Sequence, residues 1–348
     1  EEIPENLKDE VQQKAREENC VAVHLNANEI DGFYYGFSNR TIWPLFHYFM
    51  EYTESDDDYW HTYKDVNQKY ADEILKHYKE GDVIWVHDYQ LLLVPNMVRE
   101  QAPDAIIGFF NHIPFPSYEV FRTLPWRDEV LQGMLGADLI GFHTYDYERH
   151  FLSSVSRILR HQVDFNQITL PDRIVKVDSF PMGIDYKKFE QAALDHYEST
   201  SADQSELQKR LDHHLESTPD AKLILSIDRL DYTKGIAHRI RAYEYFLDKN
   251  PEYIEKVRLV MLAVPSRSNV PQYRRLKREI DELVGRINGK FSTVSWTPIW
   301  YFYRSMPFEN LIDLYTTCEI ALLTPIRDGM NLVAKEYIAT RTDHTGVL

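Results

Sequence analysis

The residues best suited to chemistry stand together in the segment Arg327–Glu336. The segment follows the apolar run Ile320–Leu323 and opens a stretch with helical spacing, which predicts a strand, a tight turn and a helix N-terminus. Free backbone N–H groups at such a point bind anions and sugars in α/β proteins. Asp328 lies in the turn, and Glu336 follows two helical turns later. The alternative interpretation is a helix-capping Asp328 and a solvated Glu336.

Basic residues follow the predicted strands of the second half of the chain. They are Arg229, Lys234, Arg267 and Arg327. Arginine binds phosphate bidentately and lysine supplies a point charge, so the set indicates a diphosphate or a sugar phosphate as ligand. The chain has 39 Lys and Arg against 55 Asp and Glu, a net charge of −16, so an anion must be met by local basic groups. Pairing of each arginine with a nearby carboxylate is the structural alternative.

Histidine, aspartate and asparagine follow the predicted strands of the first half instead. Apolar runs end at His87 and Asp88, at Asn111 and His112, and at His143. Carboxyl ends of parallel strands share one edge of the sheet, which predicts that these side chains face a ligand crevice. One histidine at such a place is usually structural, but three in register favour a site. Their long spacings and the lack of a cysteine ligand argue against a metal centre.

The elements that must position these residues alternate between strand and helix, which predicts an α/β fold with parallel sheets. A domain crossover is expected at Pro181–Asp185, giving domains 1–183 and 184–348. The aromatic segment Phe33–Pro44 is predicted to be a loop that belongs to the core or stacks on a sugar. The predicted strands are Val83–Val86, Ile106–Phe110, Leu139–Phe142, Val175–Phe180, Leu223–Ile227, Val257–Val264 and Ile320–Leu323, and the predicted helices are Glu5–Asn19, Leu91–Gln101, Tyr118–Leu135 and Leu207–Leu215.

Composition excludes several classes of protein. At 43% hydrophobic and 27% charged residues, the 348-residue chain is typical of a globular protein with substantial cores. Apolar runs such as Leu259–Val264 are far shorter than a membrane helix needs. The negative charge argues against nucleic acid and anionic membranes as partners. Two cysteines, Cys20 and Cys318, give no disulfide framework and suit a reducing cytoplasm.

Common catalytic motifs are absent from the sequence. The loop Arg229–Gly235 has one glycine and lacks Walker spacing, and no GxGxxG fingerprint for a nicotinamide cofactor is present. No GxSxG elbow supports Ser-His-Asp hydrolysis.

Five strings in chain order carry a family resemblance. They are Trp85–Tyr89, Asn111–Pro116, Arg229–Gly235, Gly285–Lys290 and Arg327–Glu336. Together they resemble the trehalose-6-phosphate synthases, and the match runs from about residue 34 to the last residue. The resemblance implies a GT-B fold of two Rossmann-like domains that face a cleft. It also implies transfer of glucose from UDP-glucose to glucose 6-phosphate with retention, with no catalytic metal or other cofactor.

The resemblance implies a role for each matching residue on the donor side. Arg229 and Lys234 resemble the pair that holds the diphosphate and stabilises the leaving group. Asp328 resembles the residue that holds the donor glucose, and Glu336 the acid that binds the ribose. His112 resembles the residue that touches the donor sugar near the reacting centre. The implied catalytic residues are His112, Arg229, Lys234 and Asp328, and the implied donor-binding residues are Arg229, Lys234, Asp328, Gly329, Met330, Asn331, Leu332, Val333 and Glu336.

The implied acceptor pocket consists of Tyr34, Trp43, Asp88 and Arg267. The family's usual proposal is front-face attack, in which the departing phosphate oxygen takes the acceptor proton. That mechanism explains why no residue stands out as a covalent nucleophile.

The ends of the chain depart from the family pattern. The family's Arg-Leu-Pro motif and Gly-Gly loop have no counterpart before Glu1, and Thr345–Leu348 resembles a strand just starting. We therefore interpret the sequence as an internal piece of a synthase and expect it to be weakly active or inactive alone. The resemblance leaves open the donor nucleotide, self-assembly, and a phosphatase fused to or associated with the synthase.

Two other classes of function compete with a synthase. A non-catalytic subunit that senses sugar phosphates could use the same fold, although all the charged residues named above are present. Glycogen synthase and phosphorylase share the fold class. Phosphorylase needs a lysine for pyridoxal phosphate, and glycogen synthase has no need of Arg267 for a phosphorylated acceptor.

Overall fold

The computed structural model describes residues 3–199, 204–218, 221–267 and 269–348. The chain divides into two compact units, Glu1–Met182 and Gly183–Leu348. Each unit contains its own sheet with helices packed against it, so the N-terminal unit and the C-terminal unit are described separately.

The N-terminal unit is built on a six-stranded sheet. Its strands are β1 Val83–His87, β2 Ile106–Phe110, β3 Leu139–Phe142, β4 Gln162–Asp164, β5 Gln167–Thr169 and β6 Ile174–Ser179. The spatial order is β1-β2-β3-β6-β5-β4. Strands β1, β2, β3 and β6 run parallel, as predicted, whereas β5 is antiparallel to both of its neighbours. The β4–β5 hairpin was not predicted, because strands of three residues show too little alternation to be recognised.

Eight α-helices accompany this sheet within the described residues. They are α1 Lys8–Glu17, α2 Ala27–Glu29, α3 Trp43–Phe46, α4 Asp57–His77, α5 Val94–Gln101, α6 Tyr118–Phe121, α7 Arg127–Met134 and α8 Tyr145–Ser154. The exposed helix predicted over Glu5–Asn19 is confirmed, since α1 buries no residue. The single helix predicted over Tyr118–Leu135 is wrong. It is interrupted between α6 and α7, where Pro125 disfavours helical backbone in the residue before it.

The aromatic segment is helical, so the predicted loop is wrong. Residues Ile30–Ile42 form a π-helix that continues into α3. Phe37 is fully buried, with its ring centroid 4.4 Å from that of Tyr63 and 5.1 Å from that of Trp60, both on α4. The side chains that suggested a sugar-binding loop therefore form much of the core beside the sheet.

The C-terminal unit is built on a four-stranded parallel sheet. Its strands are β7 Lys222–Arg229, β8 Val257–Val264, β9 Ile299–Tyr303 and β10 Ile320–Ala321. The spatial order is β10-β7-β8-β9, and Val347 bridges to Ile320 beyond β10, as expected of a strand starting near residue 345. Strand β9 was not predicted, because its sequence Ile-Trp-Tyr-Phe-Tyr has no polar residue to reveal alternation.

Among the described residues of this unit, six α-helices cover both faces of the sheet. They are α9 Tyr186–Glu198, α10 Glu206–Ser217, α11 Ile236–Lys249, α12 Pro271–Phe291, α13 Phe308–Thr317 and α14 Leu332–Thr340. Alternate residues of β8 enter different cores: Met261 packs with α11 and α12, and Leu262 packs with α10, α13 and α14. A strand buried on both faces reads as a continuous apolar run, which is why β8 was predicted with its correct bounds.

Gly235 makes the turn between β7 and α11 possible. Its φ is +66°, and a Cβ atom built there would lie 2.6 Å from the Thr324 carbonyl oxygen. The turn after β7 and the segment after β10 therefore touch at a point where only glycine fits.

Replacement of Gly235 by alanine tests this constraint. The clash and the left-handed backbone should lower the free energy of unfolding by about 1–3 kcal/mol. Gly285→Ala is the matched control, because Gly285 lies in α12 and an added Cβ meets nothing within 4 Å. There the same substitution should raise stability by about 0.5–1 kcal/mol. Chemical denaturation measures both changes, and equal effects at the two sites would contradict the close approach.

Candidate active site

The segments that follow β7 and β10 are joined by backbone hydrogen bonds. The Thr233 carbonyl accepts from the N–H groups of Ile326, at 2.8 Å, and Arg327, at 3.3 Å. As a result the Lys234 Nζ atom lies 2.5 Å from Asp328 Oδ2, and these side chains are only 10% and 19% exposed. A cation and a carboxylate that are far apart in the sequence thus form a partly buried ion pair at the carboxyl ends of the strands.

Arg239 links the segments that follow β7 and β10, and it was not predicted to be a site residue. Its Nη1 donates to Ser226 Oγ at 2.5 Å and to Asp228 Oδ2 at 2.6 Å, and its Nε donates to Thr324 Oγ1 at 3.1 Å. Its Nη2 donates to the Lys234 carbonyl at 3.2 Å. One fully buried guanidinium therefore ties β7, the turn after it and the segment after β10 to each other.

A signal for Arg239 was present in the sequence. The residue lies on the apolar face of α11, three positions after Ile236 and one before Ile240, both of which are buried. An arginine on a buried helical face needs acceptors, and Asp228 on the preceding strand supplies one.

Arg229 differs from Lys234 and Arg267, which are both paired with carboxylates. It is exposed at the last position of β7, and it forms no ion pair with any described residue. This guanidinium is therefore available to an external anion, next to the turn that carries Lys234.

The start of α14 provides hydrogen-bond donors. Asn331, not Asp328, caps this helix: the Asn331 Oδ1 atom accepts from the Ala334 N–H at 2.9 Å. The interpretation of Asp328 as the cap is therefore wrong. The backbone N–H groups of Leu332 and Val333 have no acceptor within the helix, as is general for a first turn, and can bind an anion or a hydroxyl.

Glu336 is oriented by a buried tyrosine. The Tyr315 hydroxyl donates to Glu336 Oε2 at 2.6 Å, and Tyr315 is 1% exposed. Burial, followed by the charge of Glu336, raises the pKa of Tyr315, so the hydroxyl keeps its proton and remains a donor. Glu336 is thus a fixed carboxylate, and the interpretation of it as a solvated helical residue is wrong.

Arg267 is held in a buried cluster with Asp231 and Tyr273. Its Nη1 lies 3.1 Å from Asp231 Oδ2 and 2.6 Å from the Tyr273 hydroxyl, which itself donates to Asp231 at 2.7 Å. The side chains of Arg267 and Asp231 are 6% and 1% exposed. Burial opposes ionisation of Asp231, but the Arg267 charge and the hydrogen bonds from Tyr273 and Thr233 outweigh it and hold the pKa of Asp231 below its usual range. Neither Asp231 nor Tyr273 was predicted to be a positioning residue.

Three strand ends of the N-terminal unit converge as predicted. The Asp88 carboxylate accepts from the N–H groups of Tyr89, at 2.9 Å, and His112, at 3.2 Å. Asp88 has φ +73°, a left-handed conformation that this hydrogen bonding supports. The His112 Nε2 atom lies 2.9 Å from His87 Nδ1, and the ring centroids of His112 and His143 are 5.6 Å apart.

The two hydrogen-bonded imidazoles favour the neutral form. Burial lowers the pKa of His112, and burial together with the neighbouring His112 lowers the pKa of His87. A neutral imidazole at His112 can hydrogen-bond a sugar hydroxyl without adding charge.

Trp43 and Tyr34, the remaining predicted acceptor residues, lie near Asp88 but are more buried than a ligand-binding loop was predicted to be. Trp43 is 4% exposed, and its ring centroid lies 5.5 Å from that of Tyr89, the residue after Asp88. Tyr34 is half-buried, and Asn39 links it to the same loop: Asn39 Nδ2 donates to the Tyr34 carbonyl, and the Tyr89 hydroxyl donates to Asn39 Oδ1. Trp43 therefore presents little surface to any ligand.

Metal-binding groups and membrane-spanning helices are both absent from the described part of the chain. No group of three or more His, Cys, Asp or Glu side chains there could hold a metal ion. None of the helices there is long and apolar enough to cross a membrane.

Each unit has parallel strands that carry polar residues at their carboxyl ends: cations and carboxylates in one unit, histidines in the other. Comparison with solved structures shows that the fold is that of a glycosyltransferase of the GT-B class. The model for glycosyltransferase family 20 matches residues 1–348, and the chain belongs to that family.

Three relatives illustrate the similarity. The chain is 45% identical over 353 residues to the UDP-forming α,α-trehalose-phosphate synthase of Candida albicans, covering all of this chain and 72% of that protein. It is 44% identical to the bifunctional trehalose-6-phosphate synthase/phosphatase of Thermoproteus tenax, covering 99% of this chain but 46% of that protein. The structure of a UDP-forming α,α-trehalose-phosphate synthase from Burkholderia xenovorans in complex with glucose 6-phosphate matches with a TM-score of 0.88 at 31% identity, covering 94% of this chain and 72% of that one.

The buried cluster around Arg267 can be tested by Tyr273→Phe. Loss of the hydroxyl leaves Asp231 without one of its donors and should lower the free energy of unfolding by about 1.5–3 kcal/mol, as for other hydrogen bonds to charged groups. Tyr245→Phe is the control, because Tyr245 is 65% exposed and a surface change costs within about 0.5 kcal/mol. Denaturant titration gives both values, and a cost for Tyr273→Phe no larger than the control would refute the cluster's role.

The histidine pair predicts a pH dependence of stability. Both folded pKa values lie below the ordinary 6.5. The pair therefore contributes stability that is present above pH about 6.5 and lost as the pH falls through the folded pKa values. Histidine NMR titration should place both midpoints below 6.5, and His87→Gln should reduce the acid loss of stability. His61→Gln, at an exposed site on α4, should leave the pH profile as in the parent chain, and identical profiles for the two variants would contradict the assignment.

Proposed function

We propose that this protein transfers glucose from UDP-glucose to glucose 6-phosphate with retention, forming α,α-trehalose 6-phosphate and UDP. The proposal rests on one observation in the C-terminal unit. At the carboxyl ends of β7 and β10, Lys234 and Asp328 form an ion pair beside the exposed Arg229 and the start of α14. Support comes from the similar proteins, whose names give UDP as a product and glucose 6-phosphate as a bound ligand. If UDP leaves and trehalose phosphate forms on glucose 6-phosphate, the donor must be UDP-glucose.

The donor roles follow from charge and position in the C-terminal unit. Arg229 and Lys234 supply positive charge for the diphosphate, and the N–H groups of Leu332 and Val333 add donors at the helix start. Asp328, already placed against Lys234, accepts hydrogen bonds from hydroxyls of the donor glucose, near the backbone of Gly329 and Met330. Glu336, fixed by Tyr315, accepts hydrogen bonds from the ribose.

The acceptor roles are proposed for each unit separately. Arg267 binds the acceptor phosphate, oriented by Asp231 and Tyr273. Asp88 binds acceptor hydroxyls, with Tyr34 and Trp43 shaping the wall behind it. His112 stays neutral and hydrogen-bonds the donor sugar close to the reacting carbon.

The reaction needs no covalent nucleophile. The acceptor C1 hydroxyl oxygen forms a bond to the donor C1 as the bond from C1 to the phosphate oxygen breaks. The bonding pair leaves with UDP, and the departing oxygen takes the acceptor proton. Lys234 and Arg229 stabilise the negative charge that grows on the diphosphate, which lowers the barrier electrostatically.

Two further properties belong to the proposal. A phosphatase unit, fused or associated, would consume the product, and the name of the Thermoproteus tenax relative supports this. A cytoplasmic location suits the two cysteines, Cys20 and Cys318, which are both free thiols.

The test is UDP release from UDP-glucose with and without glucose 6-phosphate, with the product identified by mass and its linkage by NMR. It is made on this chain and on the product of the complete reading frame. Release that depends on glucose 6-phosphate and gives an α,α-linked phosphorylated disaccharide is expected. Lys234→Met should lower kcat by about 10²–10³, whereas Lys249→Met, at an exposed position of α11, should leave it unchanged. Absence of the disaccharide with the complete protein would refute the proposal.

A further inference from the structure

A groove of about 1080 Å³ runs along β9 and α10 of the C-terminal unit. Its lining includes Arg258, near the amino end of β8, whereas the proposed active-site residue Arg267 follows the carboxyl end of the same strand. Six residues separate Arg258 from the end of β8, which corresponds to about 20 Å along a strand. The groove therefore lies apart from the proposed donor and acceptor groups of the C-terminal unit.

Arg258 is a buried cation that lacks an acidic partner among the described residues. It is 3% exposed, and its guanidinium lies 4.0 Å from the ring centroid of Trp300. Its Nε donates to the Thr297 carbonyl at 2.9 Å, and its Nη1 donates to His214 Nδ1 at 3.2 Å. These contacts fix the plane of the guanidinium, while Nη2 donates to no described group. A buried charge without a counter-ion is costly, and an anion in the groove would offset that cost.

The other charged groups of the groove are two arginines and one glutamate. Arg210 and Arg304 are exposed on its lining and form no ion pair with a described residue. Glu206, the acidic residue of the lining, lies 3.0 Å from Lys209 and is already paired. Three arginines beside one paired carboxylate make a basic groove in a chain whose net charge is −16.

His214 supports the same interpretation. Burial, followed by the charges of Arg258 and His213, lowers the pKa of His214 to about 4. Its ring is therefore neutral near pH 7 and accepts from Arg258. The positive charge of Arg258 contributes to this shift after burial, and an anion in the groove would be attracted by the same charge.

We propose that this groove binds a small phosphorylated organic molecule as a second ligand of the protein, with its phosphate on Arg258 and the exposed arginines Arg210 and Arg304. Among the described residues that line the groove, arginine occurs three times and lysine does not occur. Arginine favours bidentate recognition of phosphate. The volume exceeds what inorganic phosphate alone would fill and suits a ligand with an organic part, which can lie against Trp300.

The proposal is tested by titrating the chain with inorganic phosphate, pyrophosphate and uridine monophosphate at matched ionic strength. The His214 ring resonances are followed by NMR, which isolates this groove from the proposed active site. Saturable shifts are expected, with uridine monophosphate binding more tightly than inorganic phosphate. Affinity should fall at least about tenfold in Arg258→Gln, as for loss of a charge-assisted hydrogen bond.

A second variant keeps the test decisive if Arg258→Gln fails to fold. The double variant R210Q/R304Q changes only exposed groups and should also weaken binding about tenfold. Arg286→Gln removes an exposed arginine that pairs with Glu244 outside the groove and should leave binding unchanged. Equal weakening in all variants, or no saturable shift with any of the three phosphates, would overturn the proposal.

Discussion

The contact between the turn after β7 and the segment after β10 is the constraint on which the C-terminal unit depends. One carbonyl, that of Thr233, accepts from two consecutive N–H groups of the other segment. Gly235 permits this approach because it carries no side chain at a positive φ. The donor roles proposed for Lys234 and Asp328 depend on this contact, since it sets one side chain against the other and places both beside the start of α14.

Arg239, Arg267 and Arg229 of this unit differ in their partners. Arg239 and Arg267 are buried with Asp228 and Asp231, and removal of one member of such a pair typically costs about 3–5 kcal/mol. They keep the loops in one geometry. Arg229, exposed and unpaired among the described residues, can meet a ligand at little cost. In a chain of net charge −16, these buried ion pairs thus hold the loops from which Arg229 and, in its proposed acceptor role, Arg267 meet an anion.

Much of the fold could be predicted because its strands are short, apolar and followed by polar residues. Strands β2, β3 and β8 were predicted with their observed bounds, and the convergence of His87, Asp88 and His112 followed from the rule for parallel sheets. Local sequence patterns gave wrong predictions where tertiary packing determines the secondary structure. The helical form of Ile30–Ile42 depends on rings packed against α4.

Side-chain partners were the least predictable part of the site. The sequence places Asp231 near Lys234, but its hydrogen bond with Tyr273 of α12 joins residues 42 positions apart. Likewise, nothing local distinguishes Asn331 from Asp328 as the cap of α14, because both residue types favour that position. The resemblance predicted which residues meet the ligands, and the structure shows which side chains hold them in place.

The central claim is that Lys234 meets the diphosphate of the donor. Calorimetric binding of UDP and of uridine to the parent chain and to Lys234→Met tests it directly, since the four affinities form a cycle that isolates the contact between this side chain and the phosphates. We predict that the parent chain prefers UDP over uridine and that Lys234→Met loses at least about tenfold of this preference, with uridine binding unchanged. An unchanged preference in the variant would contradict the account.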